Sequence, residues 1–182
     1  MNKIKLNFLI KNIFLVCCIF ISTLTLAQGN SDYKLGSGDT IKITVFGQED
    51  LSIETLLNDS GKIDYPFLGQ IQASGITLAE FQQTIHTGLK GDYLINPNVS
   101  VSIVEYRPFF IDGEVNNPGG YPFQPGLTIS KAAALAGGYT ERASLSKIFI
   151  IRSNDLNQKS VNVKSNTSVL PGDIITVKQS YF

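Results

Sequence analysis

The chain contains very little cysteine and histidine, and this excludes several kinds of chemistry. Both cysteines, Cys17 and Cys18, lie near the N-terminus, and His86 is the only histidine. The rest of the chain can form no disulfide, no thiolate metal site and no cysteine nucleophile. Zinc sites usually combine several Cys and His ligands. We therefore expect neither a metal nor another cofactor.

Clusters of positive charge are also missing. All 15 acidic residues but only 12 of the 15 basic residues fall within residues 28–182, which gives this segment a formal charge of −3. No basic run is longer than two residues. Nucleic-acid-binding proteins instead present a basic footprint to the phosphates. We therefore expect no nucleic acid partner.

The sequence shows no recognisable catalytic arrangement. A glycosidase needs two carboxyl groups facing each other at about 5–9 Å, and nothing in the spacing of the acidic residues indicates such a pair. The serines lack the Gly-x-Ser-x-Gly setting of a hydrolase nucleophile. We therefore expect a protein that is not an enzyme and that has no catalytic residues.

The first 27 residues have the features of a secretory signal peptide. Three lysines precede an apolar run from Ile13 to Ile21, and small residues follow it. We predict cleavage between Ala27 and Gln28, so that residues 28–182 form the exported chain. An uncleaved membrane anchor is the alternative, although the run is shorter than the ~20 residues that a span requires.

Lipidation is a second alternative for this segment. A lipidated cysteine normally follows a small residue, but Cys17 follows Val16, and Cys18 follows Cys17. The match to a lipoprotein signal is therefore poor.

Hydrophobic periodicity predicts a small α+β domain over residues 28–107. Apolar residues alternate with polar ones from Ile41 to Val45 and again from Val99 to Ile103, which indicates half-buried strands. Between them, Thr77 and Glu80 have the spacing of a capping box. Apolar residues then follow at helical spacing, so we predict a helix that begins after Thr77.

A second α+β domain is predicted over residues 108–182. Thr128 can cap a helix from Ile129 to Ala136, and the Gly137-Gly138 pair that follows stops it. Short strands are expected at the following positions: Phe109–Ile111, Lys147–Arg152, Ser160–Lys164 and Ile174–Lys178.

Two short phrases occur twice along the chain. Tyr-Pro-Phe begins at Tyr65 and at Tyr121, and each copy precedes a capped helix. We expect these aromatic residues to pack. The phrase Gly-Asp-x-Ile begins at Gly38 and at Gly172, where we expect the carboxylates of Asp39 and Asp173 each to accept a local backbone N–H and to order its turn.

The order of these turns resembles that of the bacterial polysaccharide biosynthesis/export family. The resemblance covers about residues 33–178. The first domain resembles the export domain of that family at Gly38, Asp39, Pro66, Gly69, Gly75, Thr77 and Pro97. The second resembles its SLBB (soluble ligand-binding β-grasp) domain at Gly113, Pro118, Gly119, Thr128, Gly137, Gly138, Gly172 and Asp173. We interpret these as structural motif residues, and the resemblance assigns no residue to glycan contact.

The resemblance implies a periplasm-facing component of a capsule or exopolysaccharide export machine, associated with the outer membrane. Such proteins form homo-oligomeric rings that conduct a polysaccharide chain and work with an inner-membrane polysaccharide co-polymerase. Longer members carry several SLBB domains and a C-terminal amphipathic helix, neither of which is evident up to Phe182. We therefore expect an adaptor that docks on a separate outer-membrane β-barrel. The alternative is a monomeric SLBB-type module that binds a glycan or a small ligand and regulates synthesis.

Overall fold

The computed structural model describes residues 33–180, which contain ten strands and two α-helices. The predicted signal segment and the Ala27–Gln28 cleavage site lie outside these residues. The expected α+β class is confirmed. The strands are β1 (Thr40–Val45), β2 (Ile53–Leu56), β3 (Lys62–Tyr65), β4 (Gly69–Gln72), β5 (Val99–Glu105), β6 (Phe109–Gly113), β7 (Gly119–Tyr121), β8 (Ala143–Ile151), β9 (Ser160–Val163) and β10 (Ile174–Gln179), and the helices are α1 (Leu78–Leu89) and α2 (Ile129–Leu135).

The first domain, residues 33–107, is built on an antiparallel sheet in the order β2-β1-β5. Strand β1 alternates as its sequence predicts, because Ile41, Ile43 and Val45 are buried while the residues between them face outward. The β3–β4 hairpin forms a separate two-stranded sheet.

Helix α1 begins with the predicted capping box. The Thr77 hydroxyl accepts a hydrogen bond from the Glu80 N–H at 3.3 Å, and the Glu80 carboxylate accepts one from the Thr77 N–H at 2.7 Å. These bonds satisfy backbone donors that have no partner within the helix. The helix then buries Phe81, Ile85 and Leu89 in the core of the first domain.

The second domain, residues 108–180, is a five-stranded sheet in the order β7-β6-β10-β8-β9. Strands β6 and β10 are parallel, and the other neighbouring pairs are antiparallel. Helix α2 packs its buried Ala132 and Ala133 into the same core as the inward residues of the sheet, since small side chains let a helix approach closely. The helix ends at Leu135, one residue before the predicted end, and Gly137 and Gly138 follow with positive φ.

Two features of the strands differ from the prediction. Strand β8 begins at Ala143, four residues before the expected Lys147. The sequence pattern did not indicate this earlier start, because the polar Ser144 is buried and the apolar Leu145 is exposed. Strand β2 was not predicted, and it contains no fully buried residue that would give it a hydrophobic signal. Within residues 33–180, no helix is long and apolar enough to cross a membrane.

Candidate functional site

A network of buried polar groups lies where the first domain meets the second, within one compact unit of the chain. The Asp39 carboxylate is completely buried. Its Oδ2 accepts hydrogen bonds from the Tyr33 hydroxyl at 2.6 Å and the Gly36 N–H at 2.8 Å. Arg107 donates its backbone N–H to Asp39 Oδ1 at 2.9 Å and its Nη1 to Oδ2 at 3.1 Å. The buried charge is therefore both paired and hydrogen-bonded, as burial requires.

The Arg107 side chain extends from this carboxylate to the second domain. Its Nη2 donates to the Ser153 hydroxyl at 3.2 Å. A Cβ atom on Gly36 would overlap the guanidinium, and one on Gly172 would lie 2.7 Å from Nε. Both glycines therefore make room for Arg107, and a side chain at either position would displace it. We call Tyr33, Asp39, Arg107 and Ser153 the interdomain junction.

Asp173 is a second buried carboxylate paired with an arginine. Its Oδ2 accepts from Arg152 Nη1 at 2.6 Å and from the Leu170 N–H at 2.7 Å. The Ser153 N–H lies 3.3 Å from Oδ1. Burial raises the pKa of Asp173, and the Leu170 N–H and Arg152 oppose that shift. The Asp39 and Asp173 carboxylates each accept a hydrogen bond from a local N–H, as we expected. Each also forms an ion pair with an arginine, which we did not expect.

Aromatic rings extend the junction. Tyr106 meets Tyr33 edge to face, with ring centres 5.2 Å apart, and it meets Phe123 in the same way at 5.2 Å. The Arg107 guanidinium carbon lies 5.7 Å from the centre of the Tyr33 ring. Such edge-to-face and cation–π contacts are favourable geometries, so Phe123 of the second Tyr-Pro-Phe contributes to the joint between the domains.

The two Tyr-Pro-Phe segments differ in their surroundings. Tyr65 is buried and donates to the Leu51 carbonyl at 2.7 Å, and Tyr121 stacks on Phe109 with ring centres 6.0 Å apart. Packing is therefore correct for both tyrosines. It is wrong for Phe67, which is 66 % exposed at the tip of the β3–β4 hairpin.

The predicted motif residues fall into separate groups and form no single cluster. Gly38 and Asp39 lie at the junction, as do Gly172 and Asp173. The carbonyl of Pro97 accepts a hydrogen bond from His86 Nδ1 at 2.9 Å, which ties the loop to α1. The remaining motif residues lie at turns, strand ends and helix ends: Pro66, Gly69, Gly75, Thr77, Gly113, Pro118, Gly119, Thr128, Gly137 and Gly138.

Comparison with known proteins agrees with this architecture. Residues 27–104 match the family described as polysaccharide biosynthesis/export protein, and residues 108–169 match the SLBB domain. The chain belongs to the polysaccharide biosynthesis/export family. The first domain is hereafter called the export domain, and the second domain is called the SLBB domain.

The chain is similar to curated proteins that are named for the production, transport or export of polysaccharides. The chain is 33% identical over 138 residues to the exopolysaccharide production protein ExoF of Rhizobium meliloti (strain 1021), with 68% of this chain covered. It is 27% identical over 128 residues to the polysialic acid transport protein KpsD of Escherichia coli, with 69% of this chain covered. It is 25% identical over 182 residues to the EPS I polysaccharide export outer membrane protein EpsA of Ralstonia nicotianae, with 81% of this chain covered.

These relatives are all considerably longer. The matched segments amount to 32% of ExoF, 23% of KpsD and 47% of EpsA. The chain, in which the export domain precedes the SLBB domain, therefore corresponds to only a part of each relative.

The outer face of the SLBB sheet carries a row of apolar side chains that no helix within residues 33–180 covers. Phe110 of β6 lies opposite Ile174 of β10, which in turn lies opposite Ile151 of β8. Phe110 is 48 % exposed and Ile174 is 40 % exposed, while α2 packs with the residues of the opposite face. We call Phe110, Ile151 and Ile174 the outer row. Contiguous exposed apolar patches, unlike single exposed apolar residues, are characteristic of contact surfaces.

One small cleft lies beside the junction. Its volume is about 280 Å³, and it opens between the β8–β9 loop and the turn that precedes β10. This is just below the ~300–1,000 Å³ of typical small-molecule pockets. The lining residues are Ile151, Arg152, Ser153, Asp155, Gln158, Gly172 and Ile174. Among residues 33–180, no three His, Cys, Asp or Glu side chains lie close enough to hold a metal ion.

Removing the Arg107 side chain should destabilise the protein strongly. Arg107→Ala leaves the buried Asp39 carboxylate without its cation, and we expect the free energy of unfolding to fall by about 2–4 kcal/mol. Arg107→Lys keeps the charge but cannot reach Asp39 and Ser153 together, so its effect should be intermediate. Urea unfolding measures both. Arg142→Ala, at an exposed position, is the control with an effect within about 0.5 kcal/mol, and an equal effect of Arg107→Ala would contradict the assigned role.

Stability should fall at alkaline pH through Tyr33. Burial and the hydrogen bond to Asp39 raise the pKa of Tyr33 above its ordinary value. The folded state therefore retains a proton that the unfolded state loses above about pH 10, so the free energy of unfolding decreases as pH rises past that point. In Tyr33→Phe the decrease between about pH 9 and about pH 11 should be shallower. Burial also raises the pKa of Tyr65 and Tyr139, so some decrease should persist, and identical slopes in urea unfolding would refute the prediction.

Proposed function

We propose that this chain is a non-enzymatic component of a polysaccharide export machine. The observation that carries the proposal is the succession of an export domain and an SLBB domain in the chain. The chain is also similar to proteins named for exopolysaccharide production, polysialic acid transport and polysaccharide export. The cargo is a capsule or exopolysaccharide chain. The role of the protein is to form part of a passage for this polymer and not to change it chemically.

In this proposal the chain faces the periplasm and assembles into a homo-oligomeric ring that conducts the polymer toward the outer membrane. It receives polymer from an inner-membrane polysaccharide co-polymerase and delivers it to a separate outer-membrane protein. The outer row supports self-assembly, because the centre of a protein interface is apolar and its rim is polar. Polar residues border the row, for example Thr176 on β10 and Ser160, which pairs with Ile151 from β9.

The interdomain junction supports a ring in a second way. A closed ring requires each copy to hold the same angle between the surfaces that contact its two neighbours. Arg107 holds the export and SLBB domains together through Asp39 on one side and Ser153 on the other. A flexible link between the domains would allow open chains of many lengths in place of one closed assembly.

Deletion of the gene in the producing bacterium tests the function itself. We expect surface and secreted polysaccharide to be lost, while polymer accumulates inside the cell, because export fails and synthesis does not. The measurement is the amount of polymer outside and inside the cells, with the intact gene restored as the control. Unchanged polymer outside the cells would overturn the proposal.

Light scattering on the full chain tests the ring. We expect a mass of several copies, and we expect Phe110→Ser to shift the population toward monomer by weakening the outer row. Leu156→Ser is the matched control, because Leu156 is 99 % exposed on the β8–β9 loop and lies outside the row. Circular dichroism must show that both variants are folded. A monomer at high concentration, or an equal response of the two variants, would contradict assembly through this face.

The same measurement separates the second candidate function. A monomeric module that binds a glycan or small ligand in the SLBB domain is favoured by the cleft of about 280 Å³ between Ser153 and Ile174. That module would remain monomeric and would bind a short ligand tightly and saturably. A conduit would instead be oligomeric and would bind its cargo weakly.

A further inference from the structure

The tip of the β3–β4 hairpin holds an aromatic ring in an unusual position. Tyr65 pairs with Gly69, so the connecting loop is only Pro66-Phe67-Leu68. Phe67 has φ +64°, one of two non-glycine residues with positive φ among residues 33–180. This backbone conformation is rare for bulky residues, and it occurs together with 66 % exposure of the side chain.

The neighbouring residue anchors the loop from below. The Leu68 side chain packs against Gly88 of α1 so closely that a Cβ atom there would lie 2.7 Å from Leu68 Cδ1. Leu68 also joins the core of the export domain. Because the Leu68 side chain points into the domain, the ring of the preceding residue, Phe67, is held at the surface.

Tyr93 completes an aromatic pair with Phe67. The ring centres lie 5.1 Å apart and the planes are tilted by 36°. The Tyr93 hydroxyl donates to the Phe67 carbonyl at 3.2 Å, and Tyr93 is 46 % exposed. The hydrogen bond links the two loops, so the pair is a pre-oriented surface and not two independent side chains. We call Phe67 and Tyr93 the aromatic platform.

Two unfavourable features coincide at Phe67. A left-handed backbone conformation is strained for a residue with a bulky side chain, and Gly or Asn would adopt it more easily. An exposed phenyl ring also leaves apolar surface in water, which a polar residue would avoid. Strained, exposed residues that a rigid surrounding holds in place point toward binding.

The size of the platform decides what it binds. From their exposed fractions, the two rings together present roughly 200 Å² of surface. A stable protein partner covers about 800 Å² on each side, so the platform by itself amounts to only about a quarter of one side of a protein interface. It matches the area of one or two sugar rings, whose C–H faces stack on aromatic rings while their hydroxyl groups remain hydrated.

We propose that Phe67 and Tyr93 form a weak contact site for the exported polysaccharide. The site rests on the proposed export function, because that function supplies the carbohydrate. Weak stacking suits a conduit, since a carrier surface must release each sugar unit as readily as it binds it. Repetition of the platform in every copy of a ring would guide the chain without retaining it.

Affinity electrophoresis tests the site. The probe is polysaccharide purified from the producing bacterium and cast into a native gel, in which the full chain should migrate more slowly. Phe67→Asn and Tyr93→Ala should each weaken the apparent affinity about tenfold, because each removes one stacked ring. Leu156→Ala is the matched control: it removes an exposed apolar side chain from the SLBB domain and should leave migration unchanged.

Thermal unfolding separates binding from structure. Phe67→Asn should leave Tm unchanged or raised, because Asn tolerates the left-handed conformation and removes the exposed ring. Lost retardation with a lowered Tm would mean a structural role and would overturn the site. So would an absence of retardation of the unaltered chain, or equal retardation of all variants.

The gene deletion keeps this failure distinct from failure of the export function. If deletion abolishes export but Phe67→Asn binds the polysaccharide as the unaltered chain does, the proposed site is refuted and the proposed function is retained. Export unaffected by deletion would sink the function on which the site rests, whatever the gel shows.

Discussion

The arrangement of the two domains depends on one buried charge. Asp39 has no contact with solvent, and such a carboxylate is tolerated only when hydrogen bonds and a cation replace the water it has lost. Arg107 supplies the cation from the segment that joins the domains. A buried ion pair adds little net stability compared with apolar packing, but removing one partner is strongly unfavourable. The pair therefore acts chiefly by permitting one arrangement of the chain and penalising others.

Ser153 extends this constraint to the second carboxylate. Its hydroxyl accepts from Arg107 Nη2 and donates to the Pro171 carbonyl at 2.9 Å, while its N–H faces Asp173. The turns at Asp39 and Asp173, one in each domain, are thus linked through a single arginine and a single serine. Because the groups share partners, the turns are coupled and cannot shift independently.

Sequence reasoning succeeded where the structure is set by neighbouring residues. The capping box at Thr77 and the amphipathic α1 depend on residues three or four positions apart, so their pattern is visible in the chain itself. Arg107 gave no such signal, because its partners Asp39 and Ser153 lie 68 and 46 positions away. Phe67 was misjudged for a different reason. Composition predicts that an aromatic residue packs, but the three-residue loop directs its neighbour Leu68 inward instead.

The two exposed apolar surfaces lie on different domains, which has a physical consequence. The aromatic platform belongs to the export domain, and the outer row belongs to the SLBB domain. A surface that joins copies must stay covered, whereas a surface that guides cargo must be repeatedly freed, so one surface cannot serve both purposes. In the proposed conduit, separating them allows tight assembly and weak cargo contact to coexist. The separation is useful only if the angle between the domains is fixed, and Arg107 is the residue that bonds to both.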